Sequence, residues 1–178
     1  MEEPEPALIR AAAAGDQAAF AELVRAYQAQ VWRFLRHLLG DPALAEDITQ
    51  ETFIRVFLKL RTFHFRSKFS TWIFSVARNA GIDAIRSRER RTRLAEGLAV
   101  FHHPGTGPER SLELEVAIAK LSPKLREAFL LVEVMGLRYR EVAEVLRIPE
   151  GTAKSRVFHA REQLVAWMRA EQEASDEM

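Results

Sequence analysis

The sequence predicts an all-α chain: two small helical bundles joined by a flexible linker, the C-terminal one containing a helix-turn-helix. Three observations lead there. Apolar residues recur at helical spacing over long stretches, and β-branched alternation is scarce. From Ala43 to Glu96 the only helix breaker is Gly81. Then "GLAVFHHPGTGP", residues 97–108, packs three Gly and two Pro into twelve positions, the composition of a linker. The expected division is a domain over 1–95, a linker over 96–108 and a second domain over 109–178.

Asp16 reads as the N-cap of a long amphipathic helix through Leu39, which Gly40 ends. Asp41-Pro42 opens the next helix with a cap and a first-turn proline, and this helix runs to about Leu60. A loop covers Thr62–Ser70, and a third helix continues through the arginine-rich "RSRERRTR". The second domain opens after Pro108. Ser122-Pro123 caps a helix that stops at Gly136. Tyr139–Leu146 is a short helix, "RIP" a turn, and Glu150 to about Glu171 the last helix. No strand and no internal repeat is legible.

That final pair has the helix-turn-helix arrangement. Tyr139, Val142, Ala143 and Leu146 supply the inner face of its first member, and Ala153, Val157 and Leu164 that of the second, with Ala160 on the same stripe. Small Ala143 and Ala153 let the helices cross closely.

Composition excludes several classes of function. With no Cys there is no disulfide, thiol nucleophile or thiolate metal site. His102-His103 stand in the linker without acids at ligand spacing, so no metal is expected. No Ser/His/Asp set or carboxylate pair can be assembled from spacing, so neither enzymatic activity nor a cofactor is expected. No apolar run approaches the roughly 20 residues of a membrane span, and the acidic start "MEEPEPAL" is unlike a secretory signal. The expected setting is the cytoplasm.

The net charge of +1 conceals a strong asymmetry. Residues 1–51 carry four Arg against nine acids. Residues 52–93 carry eleven Lys and Arg against only Asp83 and Glu89, for a net of +9, and no carboxylate lies between Thr52 and Ile82. The remaining residues net −3. A +9 middle segment in a near-neutral chain makes an anion-facing surface, and nucleic acid is the extended anion it suits.

Three constellations stand out. On the last helix, Thr152, Ser155, Phe158 and His159 face outward with Lys154 and Arg156 at the edges and Arg161 beyond. Arg and Lys can read guanine, Ser either partner, and an apolar ring can pack on a thymine methyl. An exposed Phe158 is thereby explained by a base edge or sugar, the alternative being packing on the linker or the other domain. On the helix after Asp41, Phe53, Val56 and Leu60 make the buried face, with Ile48 and Phe57 at its edges. Opposite them Asp47, Gln50, Glu51, Ile54 and Leu58 line up at i, i+3, i+4, i+7, i+11. Acids and an amide beside Ile and Leu suit a protein interface with a basic partner better than they suit DNA. Third, the loop "RTFHFRSKFS" mixes Phe63, Phe65 and Phe69 with Arg61, Arg66 and Lys68, and carries His64 and Ser67. Rings that stack on unpaired bases and cations that track a backbone suit a single strand. Phe69 and Trp72 are the expected core members. Beyond the loop Ser75, Asn79, Arg86, Arg90 and Arg93 share one helix side, a phosphate-facing ridge.

Two blocks carry a family resemblance. "GLRYREVAEVLRIPEGTAKSRVFHAREQL", residues 136–164, resembles the −35-reading region of bacterial sigma factors, above all the compact extracytoplasmic-function (ECF) group, whose pattern is G-x-S-Y-x-E-I-A-x-x-L-G-I-P-x-G-T-V-K-S-R. "AEDITQETFIRVFLKLRTFHFRSKFSTWIFSVARNAGIDAIRSRERR", residues 45–91, resembles the core-binding and −10 region of the same family, in the family's order. Three departures are visible. Arg138 stands where a capping Ser or Thr is usual, Arg147 replaces the turn glycine at a cost of roughly 1–2 kcal/mol if the position is left-handed, and Ala153 replaces a buried valine.

The resemblance implies a promoter-specificity subunit. Asp47, Gln50, Glu51, Ile54 and Leu58 would grip the β′ clamp of core RNA polymerase, and the C-terminal domain would meet the β flap. The loop residues Arg61, Phe63, His64, Phe65, Arg66, Ser67 and Lys68, with Ser75, Asn79, Arg86 and Arg90, would take the −10 element, capturing a flipped base and helping to melt DNA. Thr152, Lys154, Ser155, Arg156, Phe158, His159 and Arg161 would read the −35 element. An anti-sigma factor is a further implied partner. The reading from another class is a stand-alone helix-turn-helix regulator binding palindromic duplex DNA, with residues 1–95 as its sensor or dimerisation domain.

Overall fold

In a computed structural model the described residues are helical and the chain divides into two compact units, Met1–Phe101 and His102–Met178. The structure describes residues 2–94 and 109–176, with side chains described for 2–91 and 114–170; the expected linker, His102-His103 and the Arg93 side chain lie outside these.

The first unit holds α1 (Pro6–Ala13), α2 (Gln17–Leu39), α3 (Pro42–Lys59), a 3-10 turn over Leu60–Thr62, and α4 (Phe69–Leu94). Sequence reasoning missed α1, although Pro6 at its first turn and the alanine run after it are ordinary helix signals. The Asp16 carboxylate caps α2, accepting from Ala18 N at 2.9 Å and Ala19 N at 3.0 Å. Gly40, at φ 67°, ends α2 in the left-handed conformation that glycine tolerates best. One residue later Asp41 accepts from Leu44 N at 3.1 Å and restarts the chain as α3. Helix α2 packs on α1, α3 and α4. It contributes Leu23, Tyr27, Val31, Phe34, Leu35 and Leu38 to a core completed by Val56 of α3 and by Phe69, Ile73, Phe74 and Ala77 of α4. Thr49 and Thr52 are buried because each hydroxyl donates to the carbonyl four residues back, at 2.7 Å. Gly81 lets α4 approach α2: a Cβ there would lie 2.9 Å from a methyl of Leu38.

The second unit holds α5 (Glu109–Lys120), α6 (Pro123–Phe129), a π-helical segment Leu130–Val134, α7 (Tyr139–Leu146) and α8 (Glu150–Asp176). The single helix expected from Ser122 to Gly136 is thus two segments. The wider π turn, closed by Met135 N to Leu130 O at 3.0 Å, accompanies two consecutive leucines, Leu130 and Leu131, that are both wholly buried. Ser122 occupies the N-cap position of α6 but its side chain makes no capping bond; Pro123 starts the helix. Arg126 reaches back from α6 to cap the end of α5, donating to the carbonyls of Ile118 and Leu121 at 3.1 Å each and to that of Ala119. Burial holds its guanidinium below the usual arginine range.

Helices α7 and α8 form the helix-turn-helix. Val142 and Leu146 are buried as expected, Val145 joins them, and Tyr139 is only half-buried. Arg147 does adopt the left-handed conformation, φ 54° and ψ 51°, and closes a Schellman-type turn through Ile148 N to Ala143 O at 3.1 Å. Arg138 provides no side-chain cap; instead its backbone N–H donates to Glu141 at 2.8 Å, the return half of a capping box. Ala153, Val157, Ala160 and Leu164 are all buried, so α8 presents its outer face in the predicted register. It runs to Asp176, beyond the expected end.

Candidate nucleic-acid and polymerase interfaces

The outer face of α3 is set by the burial of its inner one. With Ile48, Phe53 and Val56 inward, Asp47, Gln50, Ile54 and Leu58 are exposed and Glu51 is half-buried. Ile54 is 60% exposed and Leu58 71%, and at i, i+4 spacing the two form one contiguous apolar patch on that face. Phe57, at the edge, meets Phe20 of α2 edge-on with centroids 5.1 Å apart. Glu51 is not independent. Arg55 holds it at 2.6 Å and reaches Asp83 on α4 at 2.9 Å. The two acids, Asp83 foremost, push the Arg55 guanidinium above its ordinary value against the opposing effect of burial.

The loop between the 3-10 turn and α4 separates its aromatics. Phe65 is partly exposed and has a left-handed backbone, φ 55°, with the Arg10 guanidinium 5.2 Å from its ring centroid. Phe63 corrects the sequence reading. It is only 7% exposed, packed against Phe69 at 5.7 Å and Trp72 at 5.3 Å, so its ring is committed to the core, while Trp72 is half-buried. The reason is local crowding. Phe63, Phe69 and Trp72 make one aromatic cluster, and Phe65 sits at its outer edge with its ring 4.9 Å from that of Phe63. His64, Arg66 and Lys68 are exposed and Ser67 is half-buried. Arg61 is exposed, with its Nε donating to the Ala13 carbonyl at 3.2 Å. On α4, Asn79, Arg86 and Arg90 are exposed, and Ser75 is half-buried with its hydroxyl donating to Thr71 O at 2.9 Å.

On α8, Lys154, Ser155, Phe158, His159 and Arg161 are exposed, and Thr152 and Arg156 half-buried. Phe158, at 57% exposure, has no core to enter; its ring lies 5.6 Å from that of His159. The cations here are held by acids. Lys154 pairs with Glu150 at 2.8 Å, which raises the lysine pKa; His159 Nδ1 lies 3.2 Å from Glu162; and Arg161 pairs with Glu133 of the π segment, which raises the arginine pKa. Such exposed pairs open at little cost, so these side chains can turn to phosphate or base edges.

Sequence reasoning missed four participants: Glu3, Arg10, Arg55 and Asp83. Arg55 and Glu51 stand at helical i, i+4 spacing, a readable signal. The others act across elements, where spacing carries no information. Among the described residues no group of three or more His, Asp or Glu could hold a metal ion, and no helix is long and apolar enough to cross a membrane.

Residues 23–91 match the family model for sigma-70 region 2, and residues 111–164 that for sigma-70 region 4. The chain is 37% identical over 170 residues to the ECF RNA polymerase sigma factor SigC of Mycobacterium tuberculosis, covering 93% of this chain and 91% of that protein. It is 37% identical over 166 residues to SigW of Bacillus subtilis, an ECF sigma factor, covering 84% and 89%. Among solved structures it is similar to the sigma factor RpoE of Bartonella quintana, crystallised with the anti-sigma factor NepR, at a TM-score of 0.76 and 26% identity over 84% of this chain and 96% of that one. CnrH, solved with the cytosolic domain of CnrY, gives 0.73 and 26% over 92% and 96%. A helical chain carrying region 2 and region 4 in this order is a promoter-specificity subunit of RNA polymerase. It belongs to the ECF group of the sigma-70 family. The stand-alone regulator is not favoured by these matches.

Proposed function

We propose a division of labour at the level of residues. The outer face of α3, with Asp47, Gln50, Glu51, Ile54 and Leu58, docks on the β′ clamp of core polymerase. The loop residues Arg61, His64, Phe65, Arg66, Ser67 and Lys68, with Ser75, Asn79, Arg86 and Arg90 of α4, hold the −10 element and its displaced strand. Phe63 supports that surface from beneath. Thr152, Lys154, Ser155, Arg156, Phe158, His159 and Arg161 of α8 read the −35 element, and the second unit meets the β flap. The domain division at 1–95, 96–108 and 109–178 belongs to the same proposal.

The observation that carries this reading is the exposure of Ile54 and Leu58 among acids and an amide on one helix face. A dimerising regulator would pair an apolar face with its own copy, which the acids Asp47 and Glu51 beside Ile54 and Leu58 oppose by like charge, whereas a larger basic partner suits them. Extruding a base from the stack costs a few kcal/mol, and the loop cations and the Phe65 ring return it through phosphate pairing and stacking. The chain acts by binding alone, in the cytoplasm and on the nucleoid when polymerase carries it. Its likeness to a sigma factor solved with NepR supports an anti-sigma partner for this chain as well.

Run-off transcription with purified core polymerase tests the assignment. The wild-type chain initiates at a defined start. Gln50→Ala/Ile54→Ala abolishes core-dependent initiation, and Phe158→Ala reduces it only on promoters that depend on a −35 element. Initiation by the double variant at the wild-type level would remove the α3 face from the reading, and binding of a palindromic duplex without core would restore the regulator.

A further inference from the structure

The loop that carries Phe65 is held from outside itself. Helix α4 begins at Phe69, and the Lys68 carbonyl accepts its first helical hydrogen bond, from Trp72 N at 3.1 Å. A lysine side chain has no acceptor with which to cap the amides that follow. Ser67, one residue earlier, turns its hydroxyl to the Lys68 carbonyl at 3.3 Å. The acceptor comes instead from 66 residues away: Glu3 Oε2 accepts from Phe69 N at 2.9 Å, and Oε1 from Ser70 N at 3.3 Å. A carboxylate at a helix N-terminus is favoured by charge as well as by hydrogen bonding.

Glu3 is itself placed by its neighbours. The Tyr27 hydroxyl donates to Glu2 O at 3.3 Å, and the buried Tyr27 ring meets Phe69 edge-on at 5.3 Å. Further along the same segment, Arg10 covers the Phe65 ring at 5.2 Å, and Ala13 O takes a hydrogen bond from Arg61 at 3.2 Å. The two stretches flank an open cleft of about 330 Å³, with Ile9 and Ala13 on one side and Leu60 and Phe63 on the other. Residues 3–13 therefore touch the loop at its entry, at Phe65 and at its exit. Phe65 at φ 55° occupies a region that a bulky residue keeps only when its surroundings hold it, here Phe63 at 4.9 Å from within the loop and Arg10 at 5.2 Å from outside it.

We propose that Glu3 and Arg10 are positioning residues for strand capture: they hold the loop over Phe63–Lys68 in its binding shape before DNA arrives. The inference rests on the assignment of this loop to the −10 strand. A loop ordered in advance does not spend binding energy on its own ordering, so the strand is held more tightly.

The test uses holoenzyme reconstituted from core polymerase with Glu3→Ala, Glu3→Gln, Arg10→Ala or the loop control Arg66→Ala/Lys68→Ala. Three affinities are read: for core, for a −35 duplex, and for a fluorescent single strand carrying the non-template −10 sequence of a promoter that the wild type opens. Glu3→Ala weakens single-strand binding by about tenfold and Arg10→Ala by about threefold, with core and −35 affinities unchanged. Glu3→Gln keeps an acceptor for the two amides and recovers to within about threefold of wild type. A loss spread equally over all three affinities would mark Glu3 as merely structural and overturn the proposal. Wild-type strand binding by Glu3→Ala and Arg10→Ala, beside a weakened loop control, would overturn it alone. A loop control that binds the strand like wild type would overturn the loop assignment and the proposal with it.

Discussion

Arg55 on α3 and Asp83 on α4 are joined by a 2.9 Å hydrogen bond, and the same guanidinium holds Glu51 at 2.6 Å. One cation is thus shared by two carboxylates, which leaves the Glu51 side of α3 net negative, as the proposed basic partner requires. In Asp83→Ala the guanidinium belongs to Glu51 alone and neutralises it. Affinity for core polymerase is expected to fall about two- to threefold, more at low salt than at high. The ion pair is partly exposed, so stability falls by less than about 1 kcal/mol. Titration with labelled core at two salt concentrations, beside a urea melt, separates the two effects.

Gly81 leaves no room for a side chain between α4 and α2. A Cβ would stand 2.9 Å from Leu38 Cδ2 and 3.1 Å from Leu35 Cδ2, and both leucines are buried. The neighbours are flexible methyl ends, so Gly81→Ala is expected to cost about 1–2 kcal/mol and not to prevent folding. Urea unfolding checks this, and an unchanged midpoint would mean the leucines repack freely.

Arg147 is a left-handed residue with a Cβ, at φ 54°. Arg147→Gly is expected to stabilise the second unit by about 1 kcal/mol, the cost of that conformation for a non-glycine residue. Thermal denaturation reads this as a raised midpoint, with −35 affinity unaltered because the residue sits in the turn.

Lys154 is engaged by Glu150 at 2.8 Å, and in the proposed −35 contact a phosphate would displace that acid. Glu150→Gln is expected to strengthen −35 duplex binding about two- to threefold. Lys154→Ala weakens it and lowers the salt dependence of log K by about 0.9. Binding isotherms over a salt series measure both slopes.

Tyr27 supplies a pH dependence. Burial first, and Glu3 second, push its phenol well above the ordinary value of 10.0. A raised folded-state pKa means stability that is complete below pH 10.0 and lost as pH rises beyond it, because the unfolded chain ionises first. The first unit should therefore lose more stability between pH 9 and 11 as wild type than as Tyr27→Phe, measured by urea melts at each pH.

Most of the fold was legible because helix formation and facing depend on residues within a few positions of one another. The acid caps at Asp16 and Asp41, the glycine stop at Gly40, the buried stripe of α8 and the exposure of Ile54, Leu58 and Phe158 all follow from spacing and turn chemistry. The left-handed Arg147 was marked by its place in the family pattern. What spacing could not decide is which exposed-looking groups find a partner far along the chain. Phe63 reads as a loop aromatic until α4 brings Phe69 and Trp72 against it. Glu3 reads as one acid in an acidic start until α1 and Tyr27 carry it to the first amides of α4. Consecutive leucines at 130 and 131 read as ordinary helix until both must be buried, and the backbone widens to a π turn. Local periodicity chose the helices and the face each one shows. Packing between elements chose the side chains that remain available, since burial and long-range hydrogen bonds are settled only when the helices meet.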